Sequence, residues 1–302
     1  MSTNLMTPVA LTEPEFKLLQ TLVYQECGMY FDERRVHFLR DRVQRRLKAC
    51  HIDNFYGYYH LLTSREGKPE LALLLEELTI NETSFFRARA QLDLFQKTII
   101  EEMLHYKQAR RDWKLRIWSA GCSTGQEPYS LAMLVCDALS YYYLRNPLPM
   151  EMLTPKPLVP SPWKVEIVAS DMAYKALLVG QQGVYTESQM ESVEYGSRLR
   201  YFDRIGDRYA VKGSLKNLVQ FDFHNLKAEF LPEHNDIIFC RNVMIYFDEA
   251  EQKRLVEKFY HCLNPEGFLF VGHAESLFGL TTKFKMMHLN NATAYKRLEV
   301  GV

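Results

Sequence analysis

The sequence predicts an α/β protein: an open, mainly parallel sheet with helices on both faces, an all-helical domain before it, and a small antiparallel β insertion. Three observations carry this. From about residue 114, short apolar runs alternate with helical segments, the pattern of a parallel sheet. Residues 12–80 show only helical periodicity. Residues 183–217 contain short candidate strands such as 208–211 but no long apolar helix.

The helical part starts at Thr12. A hydroxyl cap is followed by Glu13-Pro14-Glu15, an early proline flanked by acids. Phe16, Leu19, Leu22 and Val23 then recur at helical spacing. A second helix is expected over about 33–49, with Val36, Leu39, Val43 and Leu47 on its apolar face. A third covers about 54–63. A fourth covers about 69–79, where Leu71, Leu74, Leu75 and Leu78 form the buried stripe. A helix at about 88–107 joins the two parts. The expected domains are 1–87, helical with its linker, and 88–302, the sheet domain.

In the second part, strands are expected at 115–119, 164–170, 218–223, 236–240 and 267–272. Helices are expected at 127–139, 173–181 and 250–263. Residues 146–162 hold six of the twelve prolines and read as a surface loop.

Bulk properties narrow the function classes. The chain has 302 residues, 37 Lys+Arg and 37 Asp+Glu, so whole-chain charge favours neither nucleic acid nor membrane. The six cysteines form no CxxC pair, which removes the usual zinc and redox motifs. The N-terminus lacks a basic head followed by an apolar run, and no apolar stretch reaches the roughly 18 residues of a membrane span. A cytoplasmic protein with free thiols is expected, and nothing in the sequence requires more than a monomer.

Chemistry is signalled first by the loop Ala120-Gly121-Cys122-Ser123-Thr124-Gly125, between a strand and a helix. In such sheets ligands bind at the carboxyl ends of strands, where the turn must bring backbone close to the ligand. Gly121 and Gly125 permit that approach and allow positive φ. Their spacing is neither GxGxxG nor a P-loop, so a nucleoside ligand without pyrophosphate fits better. Asp171 ends the next strand, where an acid accepts from both ribose hydroxyls or caps the following helix. Glu127 lies in the first turn after the loop. It either meets a ligand ammonium or hydroxyl, or complements the helix N-terminus. Cys122 reads as a small loop residue, with no partner histidine to make it a nucleophile.

Together these stretches resemble one family, the CheR-type chemotaxis receptor methyltransferases. The resemblance rests on Asn81-Glu82-Thr83-Ser84-Phe85-Phe86-Arg87, on Ser119 through Ser130 (SAGCSTGQEPYS), and on Ala169-Ser170-Asp171. It continues through residues 238–247 (IFCRNVMIYF) and 267–275 (GFLFVGHAE). It implies a Rossmann-like S-adenosylmethionine-dependent methyltransferase sheet, with S-adenosyl-L-methionine as cofactor and S-adenosyl-L-homocysteine as product. It further implies methyl transfer to glutamate side chains in the cytoplasmic helical region of chemoreceptors. Carried over by position, Asn81, Thr83 and Arg87 face the cofactor from the linker. Gly121 lies in the cofactor loop, Glu127 contacts the methionine or ribose portion, and Asp171 the ribose. Asn225 and Leu226 line the adenine. Arg241 and Asn242 end a strand over the cofactor, and Tyr246 lies near the reacting centre. Arg87 or Arg241 is expected to steer the substrate carboxylate, with Tyr246 shaping the methyl pocket. Where the family often has two acids after the loop glycine, this chain has Gln126-Glu127.

Residues 34–48 carry seven Lys/Arg and one acid. With the apolar residues facing the core, the basic side chains crowd the remaining faces, either as a plain solvated surface or as a patch for an acidic protein helix. No stacking platform accompanies them, so nucleic acid is not expected. Arg35, Arg42, Arg45 and Arg46 are the candidate receptor-binding residues. In the family the antiparallel insertion docks a receptor C-terminal peptide by strand addition. The turn at 203–208 is short with one glycine, which points to a version without that tether. The competing classes are a nicotinamide oxidoreductase, disfavoured by the missing GxGxxG, and a non-catalytic binding module, disfavoured by the retained Arg87, Glu127, Asp171, Arg241 and Tyr246.

Overall fold

The computed structural model describes residues 11–145 and 158–299. The expected proline-rich loop at 146–162 lies mostly outside them. The chain divides into two compact units, residues 1–80 with 246–248, and residues 81–245 with 249–302.

The first unit is helical: α1 (Glu13–Cys27), α2 (Val36–Ala49), α3 (Phe55–Thr63) and α4 (Lys68–Leu78). Thr12 caps α1, its N–H donating to the Glu15 carboxylate at 2.9 Å, and Gly28 ends the helix in the left-handed region. The predicted stripes are buried, namely Phe16, Leu19, Leu22 and Val23 on α1, Leu39, Val43 and Leu47 on α2, and four leucines on α4, except that Val36 at the start of α2 is only half-buried.

The second unit begins with α5 (Arg89–Leu94), a π-helical turn at 95–99 and α6 (Ile100–Ala109). Then come β1 (Lys114–Ala120), α7 (Gln126–Arg145), β2 (Lys164–Asp171), α8 (Tyr174–Gln182) and β3 (Val184–Thr186). They are followed by α9 (Tyr195–Tyr201), β4 (Phe202–Ile205), β5 (Arg208–Val211), α10 (Gly213–Lys216), β6 (Val219–Phe223) and β7 (Asn235–Cys240). The unit ends with α11 (Glu249–Cys262), β8 (Leu263–Val271), β9 (Phe284–Leu289) and β10 (Ala292–Arg297).

Seven strands form one sheet in the order β6-β2-β1-β7-β8-β10-β9, and β3, β5 and β4 form the predicted small antiparallel sheet. The first five strands are parallel. From β1 the chain winds outward through β2 to β6, then returns to place β7 on the other side of β1. The β1/β7 boundary is therefore the topological switch point. β7 is buried along its whole length and β1 over its carboxyl half, so neither shows a one-sided exposed face there. Phe239 and Phe270 stack at 4.4 Å on adjacent strands, with Phe95 edge-on to both.

Two expectations change. Residues 81–87, expected with the helical domain, group with the sheet unit. Phe85 is buried in the sheet core, its carbonyl accepts from Ser192, and the Phe86 N–H donates to Ser130. The sheet also does not end at β8. β9 and β10 extend it antiparallel, the outer strand largely exposed and without the apolar run that signals a buried strand.

Candidate functional site

The ends of β1, β2, β6 and β7 meet the loops that carry most of the predicted site residues. β1 leads into Gly121, whose φ is +86°. The Gly121 and Cys122 N–H groups both donate to the Ser170 carbonyl, at 2.8 and 3.0 Å, folding the loop back onto β2. A Cβ on Gly121 would come within 2.4 Å of Val243 Cγ2, so only glycine fits where this loop passes the turn after β7. Gly125 sits at φ +93°, and a Cβ there would lie 2.8 Å from the Cα of Gly180 in α8.

Asp171 ends β2 and is almost wholly buried. One carboxylate oxygen accepts from the Ser123 N–H at 2.8 Å and the other from the Ala173 N–H at 2.9 Å. It thus clamps the glycine loop to the start of α8. The His224 N–H donates to the Asp171 carbonyl at 3.0 Å, which brings Asn225 and Leu226 beside the same strand end. Asn225 makes a tight turn there, its Oδ1 accepting from Lys227 N–H at 2.9 Å, and Leu226 is buried. Asn81 is tied in as well, its carbonyl accepting from Ser123 Oγ at 2.9 Å. Thr83, two residues on, is half-buried.

Across the switch point, Arg241 and Glu127 form a buried ion pair, Nε to Oε2 at 2.8 Å, with the two side chains 3% and 11% exposed. The other Glu127 oxygen accepts from Ser119 Oγ at 2.7 Å. Arg241 Nη1 donates to the Arg87 carbonyl at 2.8 Å and to Gln91 Oε1 at 3.3 Å. A buried pair held this way is rigid, and removing one partner strands the other charge. Arg241 is therefore a scaffold cation within this cluster. The Arg87 guanidinium is less committed: one nitrogen donates to the Glu82 carbonyl at 3.0 Å. It lines a cavity of about 390 Å³ with Ala88, Arg89, Gln91, Asn242, His273 and Asn291. Asn242 is held left-handed at φ 61°, its N–H donating to Glu275 at 2.9 Å.

Sequence reasoning named neither Gln91, Ser119 nor Glu275 as a site residue. Ser119 carried a signal, a polar residue inside an apolar strand. Glu275 clamps Gly272, Asn242 and Ile245 through their N–H groups, and its position gave no hint of that. Cys122 is fully buried. Burial, with Asp171 and Glu127 nearby, pushes its thiol well above the ordinary range, so it stays protonated and inert.

Tyr246 groups with the helical unit. Its carbonyl accepts from the Tyr30 N–H at 2.8 Å, and Arg35 lies 5.8 Å from its ring centre. On α2, Arg46 forms a two-pronged pair with Glu70, at 2.9 and 2.6 Å, and the Tyr58 hydroxyl joins the same carboxylate at 2.6 Å. Arg42 and Arg45 share Glu77 at 3.1 and 3.0 Å. Arg34 pairs with Asp32, and Arg40 with Asp41. Five of the seven basic side chains thus pair with four acids, and the segment keeps a surplus of positive charge. Arg46 acts as an internal strut, so the expected patch is narrower than its sequence.

The family model for the CheR methyltransferase SAM binding domain matches residues 81–145 and 150–293, and that for the CheR methyltransferase all-alpha domain matches residues 14–79. The chain belongs to the CheR methyltransferase family. Among its curated relatives, the chemotaxis protein methyltransferase of Escherichia coli is 32% identical over 92% of this chain and 90% of its own. Chemotaxis protein methyltransferase 2 of Pseudomonas aeruginosa is 34% identical over 88% of this chain and 87% of its own. Chemotaxis protein methyltransferase 2 of Vibrio cholerae is 28% identical over 98% of this chain and 97% of its own. This CheR-family enzyme is an S-adenosylmethionine-dependent methyltransferase. Its residues fit that cofactor. Asp171 at the end of β2 and Glu127 in the first turn of α7 are carboxylates suited to a group rich in hydroxyl and ammonium donors, and the glycine at 121 keeps the loop where any Cβ would collide. Among the described residues, no helix is long and apolar enough to cross a membrane.

Proposed function

We propose that the enzyme methylates glutamate side-chain carboxylates in the cytoplasmic helical region of chemoreceptors, giving glutamate 5-O-methyl ester and S-adenosylhomocysteine for sensory adaptation. The observation that carries this is the cavity at Arg87. Among the described residues its lining includes two arginines and a histidine and not one acid, so it suits an anionic side chain. Arg89 is partly neutralised by Asp93 at 3.0 Å, which leaves Arg87 as the main anion-receiving group. The names of the relatives, chemotaxis protein methyltransferases, agree with a receptor substrate.

In this reading Asp171 holds the ribose hydroxyls and Glu127 the ammonium or ribose of the cofactor. Asn225 and Leu226 line the adenine. Gly121, Asn81, Thr83 and Asn242 complete the pocket. Bound S-adenosylmethionine supplies an activated methyl group on a sulfonium cation. A glutamate carboxylate, with a reference pKa of about 4.3, is ionised near neutral pH, so no side chain has to remove a proton. The protein's task is alignment of carboxylate oxygen, methyl carbon and sulfur. Positioning of this kind supplies roughly 7–11 kcal/mol. Arg87 steers the carboxylate, and the buried Arg241–Glu127 pair keeps the frame rigid. The α2 surface, with its surplus of positive charge on Arg35, Arg42, Arg45 and their neighbours, steers the Glu-rich receptor helices.

The test is incubation with methyl-tritiated cofactor and purified receptor cytoplasmic fragments, followed by alkali treatment. Volatile label released from a receptor glutamate supports the reading. Transfer only to nitrogen, stable to alkali, refutes it.

A further inference from the structure

Gln91 lies in α5, 6% exposed, and belongs to none of the motifs. Its Nε2 donates to two main-chain carbonyls, Val271 at the end of β8 at 2.8 Å and Thr293 in β10 at 3.2 Å. Those bonds use both amide hydrogens and fix which way the amide points. The oxygen is left facing Arg241, whose Nη1 donates to it at 3.3 Å. A flipped amide would set an NH2 group against a guanidinium, donor against donor. Arg241 Nη1 therefore rests between two acceptors, Gln91 Oε1 and the Arg87 carbonyl at 2.8 Å. The guanidinium is planar and rigid, so fixing Nη1 also fixes the direction of Nε. Nε in turn holds Glu127 Oε2 at 2.8 Å, while Ser119 holds the second oxygen.

We infer that Gln91 is a positioning residue for cofactor binding, acting through Arg241 to orient the Glu127 carboxylate. The inference rests on the reading of Glu127 as a cofactor contact. Gln91 touches no reacting atom. Its amide transfers the position of two strands, β8 and β10, to the acid at the start of α7. A neutral residue suits this role, because a second carboxylate here would compete with Glu127 for Arg241, and an apolar one would take a hydrogen-bond partner from Arg241 and from both main-chain carbonyls.

The test is a cycle of variants read by calorimetric Kd for S-adenosylmethionine, with thermal unfolding alongside. Gln91→Met is expected to weaken binding about tenfold, equal to one hydrogen bond to a charged group at the lower end of its range. In an Arg241→Met background the same change should add less than about twofold, since its target is gone. Multiplying losses, or an unchanged Kd in folded Gln91→Met, would overturn the inference, because a purely structural role moves the unfolding midpoint and not the affinity of the folded protein. Gln91→His guards against a Gln91→Met variant that does not fold. A neutral imidazole donates through one nitrogen and accepts through the other, so it should restore binding at pH 8. At pH 5.5 the protonated ring loses its acceptor, and binding should weaken beyond any change in the parent enzyme. A Gln91→His Kd that follows the parent at both pH values refutes the inference. Glu127→Gln separates the two levels: no loss there sinks the Glu127 reading, whereas loss there without loss in Gln91→Met sinks Gln91 alone.

Discussion

Replacing Gly121 by alanine tests whether the loop after β1 is shaped by sterics. Two costs add. At φ +86° an L-residue sits in the left-handed region, worth about 1–2 kcal/mol. The new Cβ would also lie 2.4 Å from Val243 Cγ2, well inside contact distance, and overpacking of this kind costs about 1–3 kcal/mol. The total is about 2–5 kcal/mol, and at roughly 2–4 °C per kcal/mol for a domain of this size the midpoint should fall by about 4–20 °C. Part of the strain relaxes by moving the loop, and a share of 1.4 kcal/mol lost from the bound state is about tenfold in Kd for S-adenosylmethionine. Scanning calorimetry with and without cofactor, and titration calorimetry, read both. The two costs separate in a Val243→Ala background. Without Cγ2 the collision disappears, and adding Gly121→Ala should cost only the backbone share of about 1–2 kcal/mol. A midpoint within about 2 °C of the parent, or an equal penalty in both backgrounds, would refute the steric account.

Four further outcomes are expected. Asp171→Asn places an NH2 against either the Ser123 or the Ala173 N–H; it should lose about 1–3 kcal/mol in chemical unfolding and weaken cofactor binding in the same preparation. Arg87→Ala should lower methyl transfer at saturating cofactor and receptor by about a hundredfold or more while changing cofactor Kd far less; full transfer under those conditions removes Arg87 from the reaction. Arg46→Ala breaks the strut to Glu70 and should cost about 1–3 kcal/mol. Burial raises the Glu70 pKa, but hydrogen bonds from Arg46 and Tyr58 outweigh it and hold the carboxyl below its ordinary value. Its stabilisation is therefore complete above the unfolded pKa of about 4.3 and lost as pH falls through the lower folded value, so acid unfolding of Arg46→Ala should begin at higher pH than in the parent. Arg35→Glu with Lys48→Glu, which spares the strut, should slow receptor methylation most at low ionic strength and leave cofactor Kd unchanged; equal loss of both would mean the α2 surface does not steer the receptor.

Local signals made much of the fold legible. Apolar spacing placed α1 through α4 because each buries one stripe, and short apolar runs marked β1 and β7 because neighbouring elements cover both faces there. β9 and β10 were silent. An outer strand with exposed Lys285, Met286 and His288 has no need of an apolar run, and although β9 and β10 form a local hairpin across Asn290-Asn291, their joining to the sheet depends on β10 pairing with the distant β8.

The sequence by itself determined the loop glycines, the acids at the end of β2 and the start of α7, and the family, because these depend on residue type at short spacing. Only the tertiary structure decided how the charges are spent. Arg241 and Glu127 are 114 residues apart, and their pair exists because β7 returns beside β1 at the switch point. Gln91 entered the cluster the same way, from 150 residues away. Arg46 looked like part of an outward basic face until Glu70 packed against it. A charge in the sequence carries no label for surface or strut. That depends on whether folding brings an acid within hydrogen-bond reach and excludes the water that would otherwise screen it.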